Sequence, residues 1–188
     1  SWVLEHNESY CKYLHFGIFA VHAENIGSAQ RRSTDLLLAY LPPPPARILE
    51  VGTGTGTLLV QLRELGYEVE GINPDQKQID FANMTHAGDL GIQACTFETY
   101  ETSKTFDVIL LQEVSQYIDL ECLFLRAAQL LDTDGMLLII DEMKANELEP
   151  NLHAIHDYQT LGRRYNYVQT INLDLTEKAM PTLSYLHG

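Results

Sequence analysis

The sequence predicts an α/β chain with a doubly wound, mostly parallel sheet carrying helices on both faces, and three observations predict it. Continuous apolar runs recur at 47–51 (RILEV), 106–111 (FDVILL) and 136–141 (MLLIID). Amphipathic stretches at helical spacing separate them, which is the pattern of parallel strands buried under helices. Three glycines at alternate positions, Gly52, Gly54 and Gly56, follow the first run where a strand should turn into a helix.

In chain order, 23–41 places Ile26, Ala29, Leu36, Leu37, Tyr40 and Leu41 close to one helical face before four prolines, 42–45, stop it. A strand at 47–51 leads into a helix with Leu58, Leu62 and Leu65 at i, i+4, i+7, then a Gly66 stop and a strand at 67–72. Pro74 and Asp75 suit the first turn of a second helix, and a short strand is expected near 93–97. Asp119 is placed to cap a helix whose stripe is Leu120, Leu123, Phe124, Ala127, Leu130 and Leu131. A turn at DTDG, the strand at 136–141, a helix around 154–164 and a strand at 167–173 complete the pass.

The totals bound the function. The 188 residues with 45% hydrophobic content suffice for one core, so a single domain is expected. A formal charge of −14 repels phosphate backbones and anionic lipid, which argues against nucleic-acid and membrane partners and favours a neutral or cationic small molecule. Cys11, Cys95 and Cys122 are odd in number without CxxC spacing, so the chain reads as a reduced, cytoplasmic protein. No signal segment opens it, and no apolar run approaches the roughly 20 residues that span a bilayer. His153 and His156, near Glu147 and Glu149, read better as a solvated helix start than as metal ligands, and no metal is expected. Ser115 lacks the G-x-S-x-G elbow of a nucleophilic serine.

In a parallel sheet, ligands bind at the carboxyl ends of strands, where a glycine turn lets them approach the backbone. A dinucleotide site wants G-x-G-x-x-G, and its third position here falls on Thr57. The spacing present is E-x-G-x-G-x-G, from Glu50 through Gly52, Thr53 and Gly54 to Gly56. With its flanks it resembles the S-adenosylmethionine-dependent methyltransferases of the Rossmann-like class, which keep an acid such as Glu50 near the cofactor's methionine amino group. A sulfonium nucleoside carries no pyrophosphate, so an acid is tolerable there.

The resemblance extends along the chain and implies further positions. About 20 residues after the first glycine, where nucleotide-binding folds place an acid for the ribose, this chain has Asn73, followed by Pro74 and Gln76. Asn can accept and donate without charge assistance. The GINPDQ setting resembles the branch that alkylates natural products, isoprenoids and lipids. Glu70 faces the other side of its strand and reads as a solvated strand-end charge. Thr96, Phe97 and Glu98 lie where the family builds the adenine pocket. FDVILLQEVSQYI matches the family's fourth-strand segment at Phe106, Asp107 and Glu113, which puts Gln112 beside the cofactor and Tyr117 toward the substrate. LLDTDGMLLIIDE resembles a structural segment. YLHFGIF resembles a lid element, which makes His15, Phe16 and Gly17 lid residues. INLDLTEKAMPTLSYL resembles the entry to a substrate cap, and the family's last helices and strand are expected beyond this chain.

The implied organisation is one domain with a helical lid at 1–45, a cofactor-binding core at 46–142 and the start of a cap at 143–188. The implied activity is methyl transfer from S-adenosyl-L-methionine to a small-molecule acceptor at oxygen, nitrogen or carbon. An oxygen acceptor needs a base, for which Tyr117, His15 and Glu113 are the candidates, and a carbon acceptor needs aromatic faces such as Phe16, Phe19 and Tyr117. A homo-oligomer is left open. The competing reading is a methyltransferase-like binding subunit or a non-methylating enzyme, motivated by Asn73. A nicotinamide-dependent oxidoreductase is disfavoured by Glu50 and Thr57.

Overall fold

The computed structural model describes residues 13–20, 24–144 and 152–186. They belong to two compact units, one formed by the residues before Pro43 with those after Ile171, the other by Pro43–Ile171.

The larger unit is built on a parallel four-stranded sheet of β1 (Arg47–Val51), β2 (Glu68–Ile72), β3 (Phe106–Gln112) and β4 (Leu131–Ile140), in the order β2-β1-β3-β4. Crossover helices α2 (Thr57–Glu64), α3 (Gln76–Thr85) and α4 (Leu120–Leu130) fall between the strands, and α5 (Ile155–Arg164) follows them. Because β1 is flanked by β2 on one side and β3 on the other, the winding reverses at β1, and crossovers of the usual right hand send helices to both faces.

Burial follows that arrangement. Leu49, Val51, Ile109 and Leu111 join Leu123, Phe124 and Ala127 of α4 in one cluster. The alternate residues Ile48, Val108 and Leu110 are equally buried, as are Leu59 and Leu62 of α2. At the far end of β3, Arg47 donates to Asp107 and Asp132 and fastens three strands together.

Local signals account for most boundaries. Asp119 caps α4 by accepting from Cys122 N at 2.8 Å, and the buried face is the predicted stripe up to Leu130. Asp119→Ala should therefore cost about 1 kcal/mol in urea unfolding. Asp75 caps α3 by accepting from Lys77 N, so that helix begins one residue after the expected Pro74–Asp75 turn. The end of α2 is closed by Gly66 N donating to Arg63 O and Tyr67 N to Leu62 O, the paired bonds of a Schellman motif. That closure leaves Leu65 exposed, and the buried face is Leu58, Leu59 and Leu62.

Several expectations are corrected. The strand near 93–97 is reduced to a single bridge between Gln93 and Ile72, because Thr96 and Thr99 bond each other in a turn. DTDG belongs to β4, but the register jumps from Phe106↔Leu131 to Val108↔Met136, so the turn sequence survives as an irregularity within the strand. No strand forms at 167–173. Its residues are mostly exposed, with Val168 at 83%, because no neighbouring strand offers them a ladder. Glu70 is no free charge, since it accepts from Tyr100 Oη at 2.8 Å and pairs with Lys104.

The smaller unit contains α1 (Ile26–Leu38), α6 (Thr176–Ala179) and α7 (Pro181–Leu186). Asn25 caps α1 by accepting from Ser28 N, which starts the helix later than expected. Its buried face is Ala29, Gln30, Ser33, Thr34 and Leu37, three of the five polar, where an apolar stripe was expected. The reason is that this face receives polar chain, with Gln30 Nε2 donating to Tyr13 O and His15 O at 3.2 and 2.7 Å. Two bonds bring the distant ends of this unit together, Gly17 N to Thr182 Oγ1 and Phe19 N to Lys178 O.

Candidate active site

The glycine turn leaves β1 at its carboxyl end. Gly52, Gly54 and Gly56 all have positive φ, at 76°, 51° and 73°. Gly52 N and Thr53 N both donate to Ile72 O, which holds the turn against the end of β2. A Cβ on Gly52 would lie 2.8 Å from Val114 Cγ2, and one on Gly56 would lie 2.6 Å from Leu90 Cδ1 and 3.2 Å from Ala82 Cβ. Gly52 thus admits the loop after β3, and Gly56 admits α3.

Within this turn two buried polar atoms, Glu50 Oε2 and Thr53 Oγ1, have no hydrogen-bond partner among the described residues. Burial lifts the Glu50 carboxyl to about 8, with only partial opposition from the charge of Arg63. An uncompensated buried acid is costly to the protein alone. It suits a ligand that brings a cation and a donor, and the ammonium of a bound amino acid moiety is such a group.

The other predicted positions are distributed as follows. Asn73 is buried at the end of β2, its Oδ1 accepting from Asp75 N at 2.9 Å and its Nδ2 donating to Gln78 Oε1 at 3.0 Å. One lone pair and one amide hydrogen remain for a ligand. Pro74 and Gln76 are exposed, and Gln76 Nε2 donates to Asp80. Thr96 and Glu98 are exposed in the segment after Gln93, whose carbonyl accepts from Asn73 N. Phe97, which the sequence allows either to line the pocket or to join the core, is 2% exposed inside the main core. Gln112 ends β3, and Glu113 follows with φ of 55° and its N–H donating to Ile140 O at 2.7 Å. Tyr117 is 78% exposed at the end of that loop. The structure therefore brings Glu50 to Gly56, Asn73 and Gln112 to Glu113 to the carboxyl ends of three adjacent strands, where the winding reverses.

His15 belongs to the smaller unit, and both its ring nitrogens are engaged there. Nδ1 is 2.9 Å from Phe16 O, and Nε2 is 3.4 Å from Thr34 Oγ1. Burial holds its pKa below the ordinary value, against the bond to Phe16. The folded state therefore binds its proton less readily than the unfolded chain, so the stability this neutral ring contributes is present above about pH 6.5 and is lost as pH falls below it. An NMR titration should place the His15 midpoint below the ordinary imidazole value, and His15→Gln should flatten the loss of stability between pH 7 and 5.

Sequence reasoning missed four residues. Val114 covers Gly52, while Ser115, Asp141 and Tyr158 meet in one buried hydrogen-bonded group. They are 26 and 43 positions apart and carry no short motif, so only the fold assembles them. His153 and His156 do not converge on a metal, because His153 Nε2 lies 3.0 Å from Ile118 O and His156 pairs with Asp157. Glu147 and Glu149 lie outside the described residues.

Comparison with known proteins settles the family. The model of the family described as "Methyltransferase domain" matches residues 23–173. The chain belongs to this methyltransferase family. A ubiquinone biosynthesis O-methyltransferase of Bradyrhizobium diazoefficiens is 30% identical over 98 residues, which is 50% of this chain and 38% of that protein. The counterpart from Agrobacterium fabrum is 35% identical over 85 residues, 43% of this chain and 34% of that protein. The methyltransferase chain thus spans well under half the length of these curated relatives. A geranyl diphosphate C-methyltransferase of Streptomyces coelicolor, solved with S-adenosyl-L-homocysteine, superposes with a TM-score of 0.76 at 18% identity, over 93% of this chain and 80% of that one. A cyclopropane synthase of Mycobacterium tuberculosis gives 0.77 at 17% identity, over 92% and 72%. These neighbours confirm the methyltransferase fold, and no helix among the described residues is long and apolar enough to cross a membrane.

Proposed function

We propose that this methyltransferase chain binds S-adenosyl-L-methionine at the Glu50–Gly56 turn and transfers its methyl group to a small organic acceptor. The observation that carries the reading is the buried Glu50 carboxyl, whose Oε2 has no hydrogen-bond partner among the described residues, beside a turn of left-handed glycines. The bound donor supplies an electrophilic methyl on a sulfonium. Glu50 and Thr53 Oγ1 would receive the amino acid end, the turn's backbone would receive the ribose with Asn73, Pro74 and Gln76, and Thr96, Glu98 and Gln112 would border the base and the methyl. The chain's own work is alignment and exclusion of water, because an in-line displacement gains most from positioning.

The names of relatives, which include ubiquinone biosynthesis and geranyl diphosphate, support a small-molecule acceptor. For an oxygen acceptor, Tyr117 and Glu113 are the base candidates at the end of β3; His15, the third expected candidate, has both ring nitrogens engaged within the smaller unit. For a carbon acceptor, Tyr117 offers an aromatic face at the end of β3, while the other two expected aromatics, Phe16 and Phe19, belong to the smaller unit. A cytoplasmic setting belongs to the same proposal. Titration calorimetry with S-adenosylhomocysteine should show binding that weakens at least tenfold in Gly54→Val. No binding to the unaltered protein would sink the reading.

Asn73 favours a second reading, a donor-binding subunit without methyl transfer, because its side chain is already bonded to Asp75 and Gln78. Incubation with a labelled methyl donor and candidate acceptors separates the two. Labelled product supports the first reading, and binding without product the second.

A further inference from the structure

The loop that closes over Gly52 is held from behind by a buried polar group that the proposed chemistry does not use. Ser115 is fully buried. Its Oγ lies 2.5 Å from Asp141 Oδ2, which also accepts from Ser115 N at 2.7 Å. Tyr158 Oη lies 2.6 Å from the same Ser115 Oγ. An ionised carboxylate has no proton to give, so the bonds run in one direction, from the Tyr158 hydroxyl to Ser115 and from Ser115 to Asp141. The other carboxylate oxygen accepts from Glu142 N at 2.9 Å.

Three separate pieces of chain therefore meet on one hydroxyl: the loop after β3, the end of β4 and helix α5. The same helix entry makes a second tie, because His153 Nε2 lies 3.0 Å from Ile118 O at the far end of that loop. Between the two ties is the turn Ser115–Tyr117, and just before it Val114 presses on Gly52. Glu113, the residue joining this loop to β3, sits at φ 55°, which a non-glycine residue keeps only when its surroundings impose it. A satisfied buried polar network imposes a single geometry more strictly than an apolar contact of equal size, since each bond has a direction.

We infer that Tyr158, Ser115 and Asp141 act as a latch that sets Val114 against the glycine turn, so that docking of α5 controls the geometry of the donor site. Tyr158 and Asp141 are on this view positioning residues, acting through Ser115 and Val114 without touching a ligand. The ligand part of the inference rests on donor binding at the turn, as proposed above.

The test uses the whole chain, with S-adenosylhomocysteine as the probe. Tyr158→Phe removes one hydroxyl and keeps the ring that packs edge-on against Phe124. It should speed amide exchange across 115–118 at least fivefold and weaken S-adenosylhomocysteine threefold to tenfold by calorimetry. Asp141→Asn should do the same, and the double variant should be no worse than the weaker single, because both act through one serine. A role in stability alone would lower the melting temperature while leaving affinity within twofold, and that result overturns the inference. So does unchanged exchange in Tyr158→Phe. Should that variant not fold, His153→Ala loosens the loop from its other end and is read the same way. If the unaltered protein binds no S-adenosylhomocysteine, donor binding fails, while the exchange comparison still decides whether the latch holds the loop.

Discussion

Replacing Glu50 by Gln should make the protein more stable and a poorer receptor for S-adenosylhomocysteine. The carboxyl titrates at about 8 when folded, against an ordinary value of 4.5. The folded state therefore keeps a proton that the unfolded chain releases, and stability falls as pH rises from 4.5 toward 8, levelling off above it. Linkage sets the full penalty at neutral pH on the order of 3 kcal/mol. A buried Gln amide without partners returns part of that. The net gain for Glu50→Gln should be about 1–2 kcal/mol at pH 7.5, read by urea unfolding, with the slope between pH 5 and 8 removed. Affinity for S-adenosylhomocysteine should improve with pH up to about 8 in the unaltered protein and lose that dependence in the variant. A variant that is less stable at pH 7.5, or that binds as tightly, would contradict the role given to this acid.

The second large effect is at Gly56. Gly56→Ala must hold an L-residue at φ 73° and insert a methyl 2.6 Å from Leu90 Cδ1 and 3.2 Å from Ala82 Cβ. Backbone strain of roughly 1–2 kcal/mol adds to overpacking of about 1–3 kcal/mol, so the variant should be about 2–5 kcal/mol less stable to urea than the unaltered chain. The two contributions are separable. Adding Leu90→Ala to Gly56→Ala removes the nearest clash but not the strained φ, so the extra methyl should cost less in that background than in the native one. An unchanged cost would place the effect in the strained φ and the remaining contact with Ala82 Cβ.

What was legible in the sequence was what neighbouring residues decide. The strand at Arg47–Val51 has the predicted limits, Asp119 caps the predicted helix, and Gly66 stops α2 because the chain within a few residues supplies every bond involved. The glycine turn was legible for the same reason, with its acid, its spacing and its strand lying within ten residues. The failures are tertiary. YVQTINL has strand-forming residues and finds no partner, whereas the buried face of α1 is polar because residues 13–15 bring carbonyls to Gln30. For Phe97 the sequence leaves a purine wall and the core equally open, and only the fold shows its burial in the core. Ser115 was dismissed for lacking a nucleophile's elbow, and its hydroxyl instead joins Asp141 to Tyr158 across long stretches of chain. Periodicity cannot report such a group, because none of its members is near another in sequence.

The way the two compact units share the chain has a consequence for synthesis. The sheet unit is continuous, so all of its residues have left the ribosome once Ile171 has emerged. The smaller unit is interrupted by it, and Gly17 and Phe19 must wait for Thr182 and Lys178 before their amides are bonded. Domains acquire structure as units while they are being made, and a contact that closes a long loop gains when the loop has already collapsed. The ordering of residues 17–19 thereby waits for residues 178–182, which are made only after the whole of the sheet unit.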